Sequence, residues 1–167
     1  MAAKRSGLTG AFNMLAGVTV TIASVALASL VLVLAWQVIG RYILNDSPSW
    51  TEPVALTLMS ISALFGAAVA VRAESHFSFP TLMESSPPPI RAGLRFMARL
   101  IAVAFGVALA WFGFFLMADS WDTPMAGALA PEGVTYAGLA FGGALIALFA
   151  FERLITGSPA KPAHEGG

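Results

Sequence analysis

No cysteine occurs among the 167 residues of the chain. Disulfide frameworks, thiolate metal sites, iron–sulfur clusters and thiol nucleophiles are therefore excluded together. Charge is scarce too, at 11% of residues against roughly 25% in a soluble domain. Nine Lys plus Arg cancel nine Asp plus Glu. No basic surplus is left to hold a phosphate backbone, and nucleic acid is not an expected partner. Histidine is limited to His76, just beyond an apolar run, and His164, in a Pro/Gly-rich tail, so no pair can grip a haem inside a bilayer. The apolar runs contain no H-E-x-x-H, no Ser–His pair and no paired aspartate. No catalytic, cofactor-binding or metal-binding residue is expected, and no enzyme.

What is abundant is apolar: 57% of the residues are hydrophobic, and the mean hydropathy is +0.79. The charges fence off uncharged runs at residues 6–40, 53–71, 100–118 and 133–151. Crossing a hydrocarbon core of about 30 Å takes about 20 helical residues. The composition and spacing predict an all-α integral membrane fold of four transmembrane helices, at about 18–39, 53–71, 100–118 and 133–151. Barrel strands would be about 10 residues long with alternating polarity, which these runs lack. The first run exceeds one crossing, with Asn13 and Gly17 marking a weaker start that tilts or lies along the interface. A cleaved signal peptide, suggested by Lys4, Arg5 and the Ala26-x-Ala28 spacing, is disfavoured because the apolar run continues to Ile39. The chain reads as one transmembrane domain over 1–157, with a flexible cytoplasmic tail at 158–167.

Lys4, Arg5, Arg72, Arg91, Arg95, Arg99, Arg153 and Lys161 fall on one side of this layout, and only Arg41 on the other. The positive-inside rule then predicts both termini in the cytoplasm. The outer side holds Asp46, Glu52, Asp119, Asp122 and Glu132, with Tyr42, Trp50, Trp121 and Tyr136 as an aromatic belt. Between helices 2 and 3, Phe77, Phe79, Leu82 and Met83 predict an interfacial segment, broken by Pro87-Pro88-Pro89, with helix 3 restarting near Ile90. Arg91, Arg95 and Arg99 recur on one helical face. They are expected to anchor anionic membrane lipid, at about 1 kcal/mol per charge, or to dock on the acidic or carbonyl-rich ends of a partner.

Inside the runs, Thr19, Thr21, Ser24, Ser29, Gln37, Thr57, Ser60 and Ser62 read as hydrogen-bonding groups worth about 0.6 kcal/mol each. A coupled carrier needs ionisable groups or broken helices near the midplane, and the runs supply neither. Small residues recur at four-residue spacing: Ser62, Gly66 and Ala70; Ala102, Gly106 and Ala110; Gly138 and Gly142. These rows predict close helix packing, within the bundle or against a second subunit. The outer connection is the most patterned stretch. Pro48 stops helix 1, Ser49 to Glu52 fits a capping box, and Arg41 is placed to pair with Asp46 or Glu52.

The run Trp36-Gln37-Val38-Ile39-Gly40-Arg41-Tyr42-Ile43-Leu44-Asn45, then Pro48, Trp50-Thr51-Glu52, Gly66-Ala67-Ala68 and residues 72–76, resembles the Q-type small membrane subunit of TRAP transporters, the tripartite ATP-independent periplasmic systems. Members usually carry a second acid after Glu52 and a basic residue soon after it; here Pro53 and an uncharged Ala55-Leu56-Thr57 stand instead. The resemblance implies a scaffolding subunit in a bacterial inner membrane, partnered by a large multi-helix membrane subunit that holds the substrate and ion sites. A periplasmic substrate-binding protein delivers an organic acid, and an ion gradient drives uptake. It makes Arg41, Tyr42, Asn45, Trp50, Glu52 and Gly66 candidate partner or structural residues, and the small-residue row on helix 4 adds Gly138 and Gly142. The alternative reading is a non-haem membrane anchor of a redox or signalling complex.

Overall fold

The computed structural model describes residues 2–46, 48–73, 88–125, 127 and 130–156. Among the described residues there are four α-helices: α1, Ala2–Tyr42; α2, Thr51–Arg72; α3, Pro88–Asp119; and α4, Ala137–Thr156, entered through a short 3₁₀ turn at Glu132–Tyr136. Each is long and apolar enough to cross a membrane, over Gly10–Tyr42, Thr51–Arg72, Ala92–Asp119 and Glu132–Thr156. Every expected window lies inside one of these spans. No strand element occurs among the described residues; the β geometry there is an isolated bridge between Pro124 and Pro131.

Helix α1 is longer than one crossing, as its apolar run implies. It runs unbroken from Ala2 through Asn13 and Gly17 for 41 residues, about 60 Å at 1.5 Å per residue and twice the hydrocarbon thickness. A single glycine costs an interior helix only about 1 kcal/mol. In lipid, by contrast, any break leaves backbone groups without partners. The hydroxyls in the spans stay local in the same way: Thr19 donates to Leu15 O (2.8 Å), Thr21 to Gly17 O (3.0 Å), Thr57 to Pro53 O (2.9 Å) and Ser62 to Met59 O (3.0 Å).

The helices pack in the order α1, α2, α4, α3, each chiefly against its neighbours in that row. Glycine sets the separations. A Cβ on Gly142 would lie 2.5 Å from Leu64 Cβ, and one on Gly138 would meet Ser60 Oγ and lie 2.7 Å from Ile61 N, so α2 and α4 run parallel in close contact. On the other side of α4, a Cβ on Gly106 would lie 2.5 Å from Ala147 N, on Gly113 2.5 Å from Ala140 N, and on Gly143 2.5 Å from Ala110 N. Helices α3 and α4 therefore run antiparallel, backbone against backbone. The most buried span is α4, which is why the glycines crowd there.

The apolar core, Ala16, Ala68, Ile146 and Phe149, joins α1, α2 and α4. Elsewhere the row turns large apolar side chains outward, among them Leu32, Trp111, Phe112 and Phe115. A surface of that kind requires lipid or another membrane protein around it.

Candidate functional site

The patterned outer connection is a tight, fully specified reversal. At the end of α1, Ile43 N–H and Leu44 N–H both donate to Ile39 O (2.8 and 3.3 Å), and Asp46 N–H donates to Gly40 O (3.0 Å). Asn45 sits at φ 54°, the left-handed region that Asn enters more readily than other side-chain-bearing residues. The chain then folds back so closely that a Cβ on Gly40 would lie 2.9 Å from Asp46 O and 3.0 Å from Pro48 Cδ. These contacts give Gly40, Asn45 and Pro48 of the motif a physical reason.

Two expectations for this turn are not met. Helix α2 starts at Thr51, and Trp50 before it is already helical at φ −78°, ψ −19°, with no side-chain cap. A capping residue normally has extended backbone. Here the first turn winds about Pro48 O, which accepts from Thr51 N–H (3.3 Å) and Thr51 Oγ1 (2.8 Å). Thr51 is fully buried, and its hydroxyl, as a donor to Pro48 O, ties the helix start to the preceding turn without capping an N–H. Arg72 forms an ion pair with Glu152, whereas Arg41 reaches neither Asp46 nor Glu52. Arg41, Tyr42, Trp50 and Glu52 are all exposed at this end of the helix row.

Ser49 turns instead toward the other outer connection. Gly127 adopts φ +71°, and a Cβ there would run into Ser49 Oγ and lie 2.7 Å from Ser49 Cβ. That connection is pinned by Glu132 N–H to Thr123 O (2.8 Å), Met125 N–H to Ala130 O (2.9 Å) and Gly133 N–H to Ser120 O (3.1 Å). Met125 is buried beneath it. The two outer loops thus brace each other.

The opposite end holds a buried polar cluster. Arg72, the last residue of α2, grips Glu152 of α4 through Nε to Oε2 (2.8 Å) and Nη2 to Oε1 (3.2 Å), and Nη2 also donates to Asn13 Oδ1 of α1 (2.7 Å). Its guanidinium lies 5.6 Å from the centroid of the Phe149 ring. Arg153 Nε donates to Arg72 O (2.8 Å). Glu152 and Arg153 are only 6% and 8% exposed. One arginine therefore ties three helices, with a two-pronged geometry that lysine cannot reproduce. Removing one partner of such a buried pair costs about 3–5 kcal/mol, because the other charge is left uncompensated.

Reading the sequence missed this cluster. In the sequence Arg72 and Arg153 read as topology charges and Asn13 as a weak helix start. The signal was present: Arg72 and Glu152 are the first charges after two apolar runs that exit on the same side, and their signs are opposite.

The remaining candidates divide. Gly138 and Gly142 face α2, whereas a Cβ on Gly66 would meet nothing within 4 Å. Arg95 and Arg99 are half-buried, on the stripe of α3 that continues through Ala102 and Gly106 to face α4. Arg91 lies one turn before Arg95 on the same helix. The expected interfacial segment around His76, Phe77, Phe79, Leu82 and Met83, and the tail at 158–167, lie outside the described residues.

Comparison with known proteins places this architecture. Residues 30–159 match the family model for the DctQ component of tripartite ATP-independent periplasmic transporters. The sialic acid TRAP transporter small permease protein SiaQ of Vibrio cholerae serotype O1 is 34% identical over 68 residues, 41% of this chain and 39% of that protein. The chain thus spans about two fifths of the length of that curated relative. The family match covers the end of α1 and all of α2, α3 and α4, with both bracing loops and the Arg72–Glu152 pair, and the chain belongs to the DctQ family of TRAP transporter components.

Proposed function

We propose that this chain is the scaffolding small membrane subunit of a TRAP transporter in a bacterial inner membrane, with both termini cytoplasmic. It has no enzymatic activity of its own. Its partners are a large multi-helix membrane subunit and a periplasmic substrate-binding protein, and the assembly takes up an organic acid with an ion gradient. The relative named for sialic acid fits that substrate class.

The observation that carries the reading is the distribution of charge along the four helices. The middle of every span is uncharged, and the buried charges, Arg72, Glu152 and Arg153, sit at helix ends, where they bind helix to helix. A coupled carrier holds its ions on ionisable or broken-helix sites near the midplane. This chain supplies packing surface, and a partner must supply the path.

The test is reconstitution in proteoliposomes under an imposed sodium or proton gradient. The chain alone should give no uptake of a carboxylate substrate, and the chain with its large subunit and binding protein should. Uptake by the lone chain would overturn the reading. So would full activity of the large subunit and binding protein without it.

A further inference from the structure

We infer that the free edge of α3 around Trp111 is the surface on which a transmembrane helix of the large subunit docks, an acceptor oxygen of that subunit receiving the Trp111 indole N–H. Trp111 stands apart from the other tryptophans. Trp36, Trp50 and Trp121 each lie within five residues of a charge at one end of the helix row, Arg41, Glu52 and Asp122, where an amphipathic ring belongs. The apolar run of α3 is bounded instead by Arg99 and Asp119. At 1.5 Å per residue Trp111 lies about 18 Å from the first and about 12 Å from the second, close to mid-depth. There it is 73% exposed, and its indole N–H makes no hydrogen bond among the described residues.

The place of α3 in the row leaves this edge open. Helix α3 packs on α4 and its entry turn, through Ala102, Gly106 and Gly113. Trp111 shares the exposed flank with Val107 and Phe114. Phe114 is held edge to face against Phe141 of α4, with ring centroids 5.5 Å apart, so the surface continues onto α4 and one wall of it is fixed in advance. Ala104 and Ala118 lie seven residues to either side of Trp111 on the same flank, and the indole projects between small side chains.

The indole N–H selects the occupant. Acyl chains offer no acceptor at mid-depth, and an unpaired polar group in hydrocarbon is costly. A second copy meeting α3 to α3 does no better, because α3 carries no side-chain oxygen from Leu100 to Ala118 and both indoles would stay unpaired. A head-to-tail contact between copies leaves the face open on the last copy unless a ring closes. An ion-coupled carrier holds ionisable side chains or unwound backbone near mid-depth, and so presents acceptors at the depth where this chain presents a donor. The inference rests on the scaffold reading, in which the large subunit supplies that path.

Co-purification of the full chain with its large subunit in mild detergent gives the test, with the thermal midpoint of the chain alone measured beside it. W111F keeps an aromatic ring and removes the N–H. Its apparent affinity for the large subunit should fall about ten-fold, W111A should fall further, and neither should move the midpoint of the isolated chain. W111F binding as tightly as the unaltered chain would overturn the inference, and so would a loss of binding matched by a lowered midpoint. A photoreactive phenylalanine analogue at position 111 gives a readout independent of affinity. In the assembled complex its adduct should form with the large subunit; an adduct with a second copy of this chain, or with lipid alone, would overturn the docking face. Failure of the unaltered chain to bind the large subunit at all would defeat the scaffold reading itself, and this inference with it.

Discussion

At the scale of single residues, the chain spends its few polar groups on geometry. Asn45 closes the outer turn through a left-handed backbone. Asn45→Gly should leave the thermal midpoint in detergent almost unchanged, and Asn45→Val should lower stability by about 1–2 kcal/mol. A tolerated valine would show that the reversal is not fixed at this residue. At the other end, Glu152→Gln leaves Arg72 buried without a counter-charge and should cost about 3 kcal/mol or more, while Asn13→Ala removes one hydrogen bond and should cost about 1–2 kcal/mol. The swap Arg72→Glu with Glu152→Arg should recover part of the loss, and a swap no better than either single change would argue against a direct pair. Glu52→Gln, by contrast, should be nearly silent in the same assay, since Glu52 makes neither the expected cap nor an ion pair with Arg41. The sequence pattern pointed to the outer turn as special and chose the wrong bonds within it. Ser49, Thr51 and Glu52 can all cap a helix in principle, but Trp50 is already helical with no side-chain cap, and Ser49 lies instead against Gly127 from a loop nearly 80 residues away. The Arg72–Glu152 cluster escaped for a related reason: charges at run ends are ambiguous between solvent and each other until helix order is known.

At the scale of elements, the spans themselves were legible because lipid demands continuous apolar length and forbids loose backbone. Their neighbours were not. Small-residue rows appear on α2, α3 and α4 with the same spacing, and spacing alone does not distinguish a row facing a helix from one facing outward. The structure separates them: Gly138 and Gly142 touch α2, Gly106, Gly113 and Gly143 join α3 to α4, and a Cβ on Gly66 would meet nothing within 4 Å. Gly142→Leu should therefore lower the midpoint of the isolated chain, overpacking of this kind costing about 1–3 kcal/mol, and Gly66→Leu should leave it unchanged. Equal losses from both would mean that the row order seen here is not the one adopted in detergent. If Gly66→Leu disturbs only co-purification with the large subunit, the open row on α2 is where the two subunits meet.

At the scale of the whole molecule, the Lys/Arg asymmetry and the shared end of Asn13, Arg72 and Glu152 make a single statement about sidedness. In the cysteine-less chain, a cysteine at Thr123 should react with an impermeant thiol reagent added to the periplasmic side, and one at Ser158 should not. The reverse pattern would invert the topology and leave the packing untouched. The row order α1, α2, α4, α3 has one more consequence, for how the molecule is made. Its outer pairs, α1 with α2 and α3 with α4, are sequence-adjacent hairpins that can close as each leaves the translocon. The central seam joins residues such as Ser60 with Gly138 and Arg72 with Glu152, far apart in the chain, and long-range contacts of that kind are the slow ones to form. Biogenesis thus reduces to two autonomous halves and one docking event, with the glycine face and the arginine clamp acting only at the second stage. Two separate polypeptides, divided within residues 74–87, should find each other in the membrane and co-purify, and Glu152→Gln should abolish their union while leaving each half inserted.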